Sequence, residues 1–223
     1  MQNMNIVEQF IYYFQANGGY VFGQFVRHFL ISFYGVLFAA LLAIPLGIYI
    51  AKHQHLANWV IGLANMIQTV PTLAMVSILM LGMGLGVKVI LVTTFLYSLL
   101  PVISNTYVGI TQVNKDVLDA GTGMGMTAWQ RLYMVELPLS VSVIMAGLRN
   151  ALVMAIGIVA IGAFVGAGGL GDIIIRGTNA TNGGAIILAG AVPAALMSVL
   201  ADWGLGWIER RLDPASRLKR AQG

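Results

Sequence analysis

Five long apolar segments restrict this chain to a membrane-spanning helical fold. A hydrocarbon core about 30 Å thick needs roughly 20 consecutive apolar residues in a helix, and each segment reaches that length. The sequence therefore predicts an all-α polytopic membrane protein with about five transmembrane helices. The predicted spans run near residues 25–51, 57–82, 87–110, 139–165 and 185–208.

The amino-acid composition agrees with one compact membrane domain, expected over residues 25–208. Charged residues make up 9% of the chain and hydrophobic residues 58%, whereas soluble proteins carry about 25% charged residues. The 27 glycines suit the close helix packing found in bilayers. Because the chain contains no cysteine, disulfides, thiol catalysis and cysteine-ligated metals are excluded.

The N-terminal residues contain a sixth apolar stretch, near 6–14, that is too short to span a membrane. Glu8 and Gln15 flank its aromatic residues, which favours a helix lying in the membrane interface. Residues 1–24 are therefore expected to form an extracellular or interfacial segment. A removable signal peptide is not expected, since no small-residue cleavage site follows the lone Arg27.

The basic residues lie at the edges of the apolar segments, so the net charge of +4 does not indicate a nucleic-acid partner. Only Arg27, Lys88 and Arg176 fall on one side of the predicted membrane. The positive-inside rule places the other side, with the 111–138 loop and a basic C-terminal tail at 209–223, in the cytoplasm and the N-terminus outside. The residues on that side are Lys52, Lys115, Arg131, Arg210, Arg211, Arg217, Lys219 and Arg220.

The segment 116–138 is too polar to span and too apolar to be a simple hydrated loop. A helical turn near residues 117–121 is followed by Gly125, which can supply the positive φ of a tight turn. Thr127 is a plausible N-cap for a second short helix, which Leu137-Pro138 is expected to end. The segment is thus predicted to be a helix–turn–helix, and an amphipathic hairpin resting on lipid headgroups is the alternative.

The spacing in this segment resembles the EAA loop of the permeases of bacterial ABC importers. That pattern reads E-A-A, three residues, G, nine residues and I-x-L-P. The departures are Asp119 for Glu, Gly121 for the second Ala and Val135 for Ile. The resemblance implies a coupling helix that docks into a cleft on a cytoplasmic ATPase. The matching residues are Asp119, Ala120, Gly121, Gly125, Val135, Leu137 and Pro138.

Further strings, such as Gln68-Thr69-Val70-Pro71 and the glycine-rich 166–172 loop, make the chain similar to the permeases of glycine betaine, carnitine and choline importers. This resemblance implies a type I importer fold in the bacterial inner membrane, moving an osmoprotectant by alternating access. It also implies two copies of an ATPase, which bind ATP and Mg, and a second permease, identical or paralogous. An extracellular binding (lipo)protein would dock on the loop, at Gly166, Gly168, Gly169, Gly171 and Asp172.

Four predicted spans contain an internal proline, which usually bends a helix. The polar groups beside two of these prolines either serve helix packing or line a translocation path. The candidate path residues are Gln68, Thr69, Pro71, Tyr97, Ser98, Pro101 and Asn105. Two charges inside spans, Arg149 and Asp202, are expected to pair with each other or to reach toward the interface.

No sequence motif indicates catalysis by the chain itself. A G-x-x-x-x-G-K-[ST] phosphate loop is lacking, so ATP hydrolysis must come from a partner, and no nucleophile or zinc motif is present. His53 and His55 are expected to be solvated loop residues rather than metal ligands. The alternatives are an importer for another small polar solute such as an amino acid, a secondary transporter, a membrane enzyme or a scaffold that transports nothing.

Overall fold

The structure, a computed structural model, describes residues 5–213, and within that range it is built from α-helices joined by short turns. The predicted all-α class is therefore confirmed. A π-helical turn, Leu132–Glu136, and a 3-10 turn, Gly162–Val165, complete the helical elements. The helices are α1 Ile6–Lys52, α2 Gln54–Thr69, α3 Thr72–Met83, α4 Val87–Thr111, α5 Lys115–Gly123, α6 Ala128–Arg131, α7 Leu137–Ile161, α8 Leu170–Thr178 and α9 Gly184–Leu212.

Helix α1 is a single helix of 47 residues, about 70 Å long at 1.5 Å per residue. Asn5 and Glu8 form a capping box that starts it, and no proline interrupts the chain before residue 45. The expectation of a separate helix near 6–14 is therefore wrong, because these residues are the first turns of α1. Phe10 and Phe14 also pack against the main core, which favours continuation of the helix.

The second predicted span is not one straight helix. Helices α2 and α3 meet at an angle of 93° at Val70 and Pro71, where both residues adopt extended ψ values of 128° and 136°. Pro71 cannot donate a helical hydrogen bond, and it disfavours a helical conformation in the residue before it. Within residues 5–213, four helices are long and apolar enough to cross a membrane, and the count is five if the bent pair forms one span.

Close contacts between helices α1, α4 and α7 form the centre of the fold. A Cβ added to Gly35 or Gly47 of α1 would lie 2.6 Å from the side chain of Thr94 or Thr106 on α4. A Cβ on Gly147 of α7 would lie 2.7 Å from α4. These glycines let the helix backbones approach more closely than larger residues would allow.

The segment 115–136 forms the predicted helix–turn–helix. Gly125 has a φ of 78° at the turn, and Thr127 forms a capping box with Gln130 at the start of α6, as the sequence indicates. The expectation that Leu137-Pro138 ends this second helix is wrong, since α6 continues through the π-helical turn into α7. A proline ring normally clashes with the carbonyl four residues earlier. The wider turn, in which the Leu137 amide donates to the Leu132 carbonyl, avoids this clash.

Candidate functional site

A polar cavity of about 860 Å³ opens between four helices. Its wall carries amide, hydroxyl and carboxylate groups, which is unusual in a chain with 9% charged residues. Polar side chains are costly in a membrane unless they meet a partner or a water-filled cavity. The lining residues are Asn65 and Gln68 of α2, Leu100, Pro101 and Ser104 of α4, Asn150, Val153 and Met154 of α7, and Ser198, Val199 and Asp202 of α9.

Two of the predicted path residues, Gln68 and Pro101, line this cavity. Tyr97 and Ser98 are buried, with 5% and 1% of their surface exposed, so the packing alternative applies to them. Asn105 also serves packing, because its Nδ2 donates to the carbonyl of Pro101 at 2.8 Å and its side chain lies where a Cβ on residue 147 would clash.

Most of the polar cavity wall was not predicted from the sequence. Asn65 and Asn150 were missed altogether, and Asp202 was considered only as an ion-pair partner. A signal was nevertheless present in the spacing. Asn65 stands three residues before Gln68, and Ser198 stands four residues before Asp202, which places each pair on one face of its helix.

The break between α2 and α3 is held against α4 by side-chain hydrogen bonds. The Tyr97 hydroxyl donates to the carbonyl of Val70, the residue at the break. Gln68 Nε2 donates to the carbonyl of Tyr97 at 3.3 Å. Thr69 turns back to its own helix, donating to the carbonyl of Met66 at 2.7 Å. Pro71 therefore bends the chain, and Tyr97 fixes where the bend lies.

The ion pair predicted between α7 and α9 is present. Arg149 binds Asp202 through two bonds, Nε to Oδ1 at 2.8 Å and Nη2 to Oδ2 at 2.9 Å. Its Nη1 also donates to Oε2 of Glu209 at 3.0 Å, a partner that was not predicted from the sequence. The Arg149 guanidinium thus binds the carboxylates of both Asp202 and Glu209. The Asp202 side chain, 45% exposed, also borders the polar cavity.

The glycine-rich loop before α8 is clamped onto α1. The Gly169 amide donates to Oε1 of Gln24 at 2.6 Å, and the Leu170 amide donates to Nδ1 of the buried His28 at 3.2 Å. His28 Nε2 lies 2.8 Å from the carbonyl of Ile156. The ring is therefore neutral, with its proton on Nε2, because it accepts at one nitrogen and donates at the other.

The predicted docking residues in this loop differ in accessibility. Gly169 and Gly171 are buried, Gly168 is partly buried, and Gly166 is exposed. A Cβ on Gly171 would lie 1.9 Å from the carbonyl oxygen of Ala160, so only glycine fits there. Asp172 accepts from the Tyr20 hydroxyl at 2.6 Å and from Arg176 at 3.0 Å.

The 115–136 segment exposes both its motif residues and an apolar surface. Asp119, Ala120 and Gly125 are exposed, and Gly121 is buried. Val135 in the π-helical turn is partly buried, as are Leu137 and Pro138 at the start of α7. The exposed apolar surface consists of Met124, Trp129, Tyr133 and Met134, with the two aromatic rings stacked at 5.2 Å between centroids.

Glu136, at the variable position of the motif, is buried to 1% exposure and forms ion pairs with Lys52 and Arg131. This burial and these ion pairs were not predicted from the sequence. Among residues 5–213, no group of three or more histidines and carboxylates could hold a metal ion.

A polar cavity between long apolar helices and an exposed apolar segment at the helix ends are features that suit a membrane permease. A profile of the family described as "Binding-protein-dependent transport system inner membrane component" matches residues 43–214. The chain therefore belongs to this family, the permease subunits of ABC importers.

Relatives resemble the chain over almost its whole length. The chain is 60% identical to the carnitine transport permease protein OpuCD of Listeria monocytogenes over 217 residues, 97% of each chain. It is 60% identical to the glycine betaine/carnitine/choline transport system permease protein OpuCD of Bacillus subtilis, covering 97% of this chain and 94% of that protein. It is 58% identical to the choline transport system permease protein OpuBD of Bacillus subtilis, covering 96% and 95%.

A solved structure shares the fold. The MetNI methionine ABC transporter in an inward-facing conformation superposes with a TM-score of 0.76, covering 86% of this chain and 95% of that chain. The sequences are 17% identical, so this likeness shows the fold alone.

Proposed function

We propose that the chain is the membrane-spanning subunit of an ATP-driven importer for a quaternary ammonium osmoprotectant such as carnitine, glycine betaine or choline. The observation that carries the proposal is the 58–60% identity to three permeases whose names specify these solutes. The solute crosses by alternating access, and the chain itself is a transport subunit rather than an enzyme.

The 115–136 segment receives the movement from a separate ATPase, which binds ATP and Mg. Its exposed surface of two methionines and two stacked aromatic rings supports this role, because such residues are enriched where proteins bind one another. Asp119 is exposed, at the position where the family pattern has its acidic residue. Two copies of the ATPase serve two permease subunits.

The membrane orientation follows from the distribution of basic residues. The 115–136 segment and the C-terminus lie in the cytoplasm, and the start of α1 lies outside. Arg210 and Arg211, in the last turn of α9, support this arrangement. Arg217, Lys219 and Arg220 of the basic tail lie outside the described residues.

The polar cavity is one half of the translocation path, and a second permease, identical or paralogous, supplies the other half. Asn65, Asn150 and the 45%-exposed side chain of Asp202 support this arrangement, since exposed polar groups facing hydrocarbon would be costly. Asp202 lines the cavity and its partner Arg149 does not, so the cavity presents the carboxylate to an entering cationic group.

The solute is delivered by an extracellular binding protein that contacts the loop before α8. Phe164 and Gly166 are exposed there, while the buried glycines hold the loop on α1. The contact therefore uses the tip of the loop, and the clamped part gives it a fixed position.

The coupling role is tested with a matched pair of glycine variants. Gly125→Asp forces a side chain onto a φ of 78°, whereas Gly123→Asp adds the same charge in a helix with open space around it. We expect Gly125→Asp to lose ATP-dependent uptake and co-purification with the ATPase, and Gly123→Asp to retain both. Equal uptake by the two variants, or isolation of the parent chain without any ATPase, would contradict the proposal.

A further inference from the structure

A buried carboxylate connects the end of α1 to the 115–136 segment. Glu136, in the π-helical turn, has 1% of its side chain exposed and accepts from cations on two different elements. Lys52, the last residue of α1, pairs with Oε2. Arg131, the last residue of α6, donates from Nε to Oε1 at 3.3 Å.

The network extends to α5 and α4. Arg131 Nη1 donates to the hydroxyl of Thr122 on α5 at 2.8 Å. The Ser140 hydroxyl lies 2.6 Å from the carbonyl of Glu136 and 2.7 Å from the carbonyl of Gly109, near the end of α4. Displacement of Glu136 therefore strains contacts that reach five helices, namely α1, α4, α5, α6 and α7.

The two cations of the network are more accessible to water than the carboxylate that they bind. The side chains of Lys52 and Arg131 are 40% and 28% exposed, so water can solvate each cation if the pair breaks. Glu136 has no such access, and a buried carboxylate without a partner is strongly disfavoured. The ion pair is thus expected to persist while the segment moves.

We propose that Glu136 is a positioning residue that makes the end of α1 follow the 115–136 segment. Helix α1 packs extensively on α4, α7 and α9, and the Lys52–Glu136 pair adds a direct link from its end to the segment. Movement of the segment then reaches α1 as well as α7, so that both helices change position together. This inference rests on the proposed function, in which an ATPase moves the segment.

The absence of native cysteine allows a direct distance measurement on the full chain. Spin labels are placed on Tyr49→Cys, which is 51% exposed near the end of α1, and on Met124→Cys, which is 77% exposed at the end of α5. We expect a narrow distance distribution in the parent and a broader one in Glu136→Gln. Glu8→Gln is the matched control, because it makes the same change in a capping box that glutamine also satisfies.

The amount of solute moved per ATP distinguishes a positioning role of Glu136 from an effect on stability alone. In the complex with the ATPase, we expect Glu136→Gln to assemble normally and to hydrolyse ATP, while solute moved per ATP falls about fivefold, the lower end of typical coupling between linked sites. Lys52→Gln should reproduce the broader distribution and Lys52→Arg should restore the narrow one. The Glu136→Gln/Lys52→Gln double variant should equal Glu136→Gln alone, because Glu136→Gln already removes the Lys52 ion pair together with the Arg131 ion pair.

The inference is overturned if Glu136→Gln matches Glu8→Gln in both the distance distribution and the solute moved per ATP. If Glu136→Gln does not fold, Lys52→Gln decides the question, since it changes an exposed side chain and leaves Glu136 paired with Arg131. An unchanged distribution in Lys52→Gln would then overturn the inference. Failure of the parent chain to take up solute with ATP would refute the proposed function instead, and the distance measurement needs no ATPase.

Discussion

The hydroxyl of Tyr97 provides a sharp test of how the break between α2 and α3 is held. Tyr97 is 5% exposed on α4, and its hydroxyl donates to the carbonyl of Val70, one residue before Pro71. Tyr97→Phe removes the oxygen and keeps the ring, so no large cavity forms. The change therefore isolates one hydrogen bond at the bend.

The magnitude follows from the environment of the acceptor. Side-chain hydrogen bonds in membrane proteins average about 0.6 kcal/mol and reach about 1.7. An acceptor left unsatisfied in a buried site costs about 1–3 kcal/mol. Since Val70 lies at a break rather than inside a helix, we expect Tyr97→Phe to lower the free energy of unfolding by about 1–2 kcal/mol.

The measurement is denaturant unfolding in mixed micelles, with Tyr107→Phe as the control. Tyr107 lies on the same helix, and within residues 5–213 its hydroxyl has no hydrogen-bond partner in the protein. We expect Tyr107→Phe to change the free energy of unfolding by less than about 0.5 kcal/mol, as for surface substitutions away from special contacts. If Tyr97→Phe behaves like Tyr107→Phe, the hydroxyl does not hold the break.

Three further predictions address the cavity, the glycine-rich loop and the exposed apolar surface. Asp202→Asn should slow uptake of cationic choline more than uptake of zwitterionic glycine betaine. Glu209→Gln, which removes the carboxylate outside the cavity wall, should leave the ratio of choline uptake to glycine betaine uptake unchanged. Equal ratios for the two variants in competition assays would contradict a role of Asp202 in binding the cation. Gly171→Ala should lower the free energy of unfolding by about 1–3 kcal/mol or more, because the new Cβ would lie 1.9 Å from the carbonyl oxygen of Ala160. An unchanged free energy of unfolding would refute the close contact. Trp129→Ala should weaken ATPase binding by about 2 kcal/mol or more, measured by titration in detergent, while unchanged affinity would exclude this surface from the interface.

Features decided by nearby residues were predictable from the sequence. The turn at Gly125 and the cap at Thr127 depend on residues within a few positions of each other. The four to five apolar spans follow from apolar length alone. These predictions need no knowledge of which helices become neighbours. The Arg149–Asp202 pair joins residues 53 positions apart, and it was predicted instead from the cost of an unpaired charge in a membrane.

Features decided by tertiary packing were not predictable in the same way. Tyr97 and Ser104 are both polar residues on α4, yet Tyr97 is buried and Ser104 borders the cavity. Which face of α4 is covered depends on the positions of α1 and α7. Likewise, the helix continues through Pro138 because of a π-helical turn, which no sequence pattern indicated.

The burial of Glu136 is another feature that depends on tertiary packing and could not be predicted from the sequence. Its position three residues after Tyr133 indicates a helical face, but its partner Lys52 is 84 residues away. A charge at that separation can be paired only once the fold brings the end of α1 beside the start of α7.

The central claim is that ATP drives this chain to import a quaternary ammonium solute. The most direct measurement is uptake into proteoliposomes that contain the permease complex and its ATPase, with the binding protein added outside. We predict that ATP inside the vesicles drives accumulation of labelled carnitine, glycine betaine or choline, and that labelled methionine does not accumulate. Uptake that proceeds without ATP, or ATP-dependent accumulation of an amino acid in place of all three solutes, would contradict the claim.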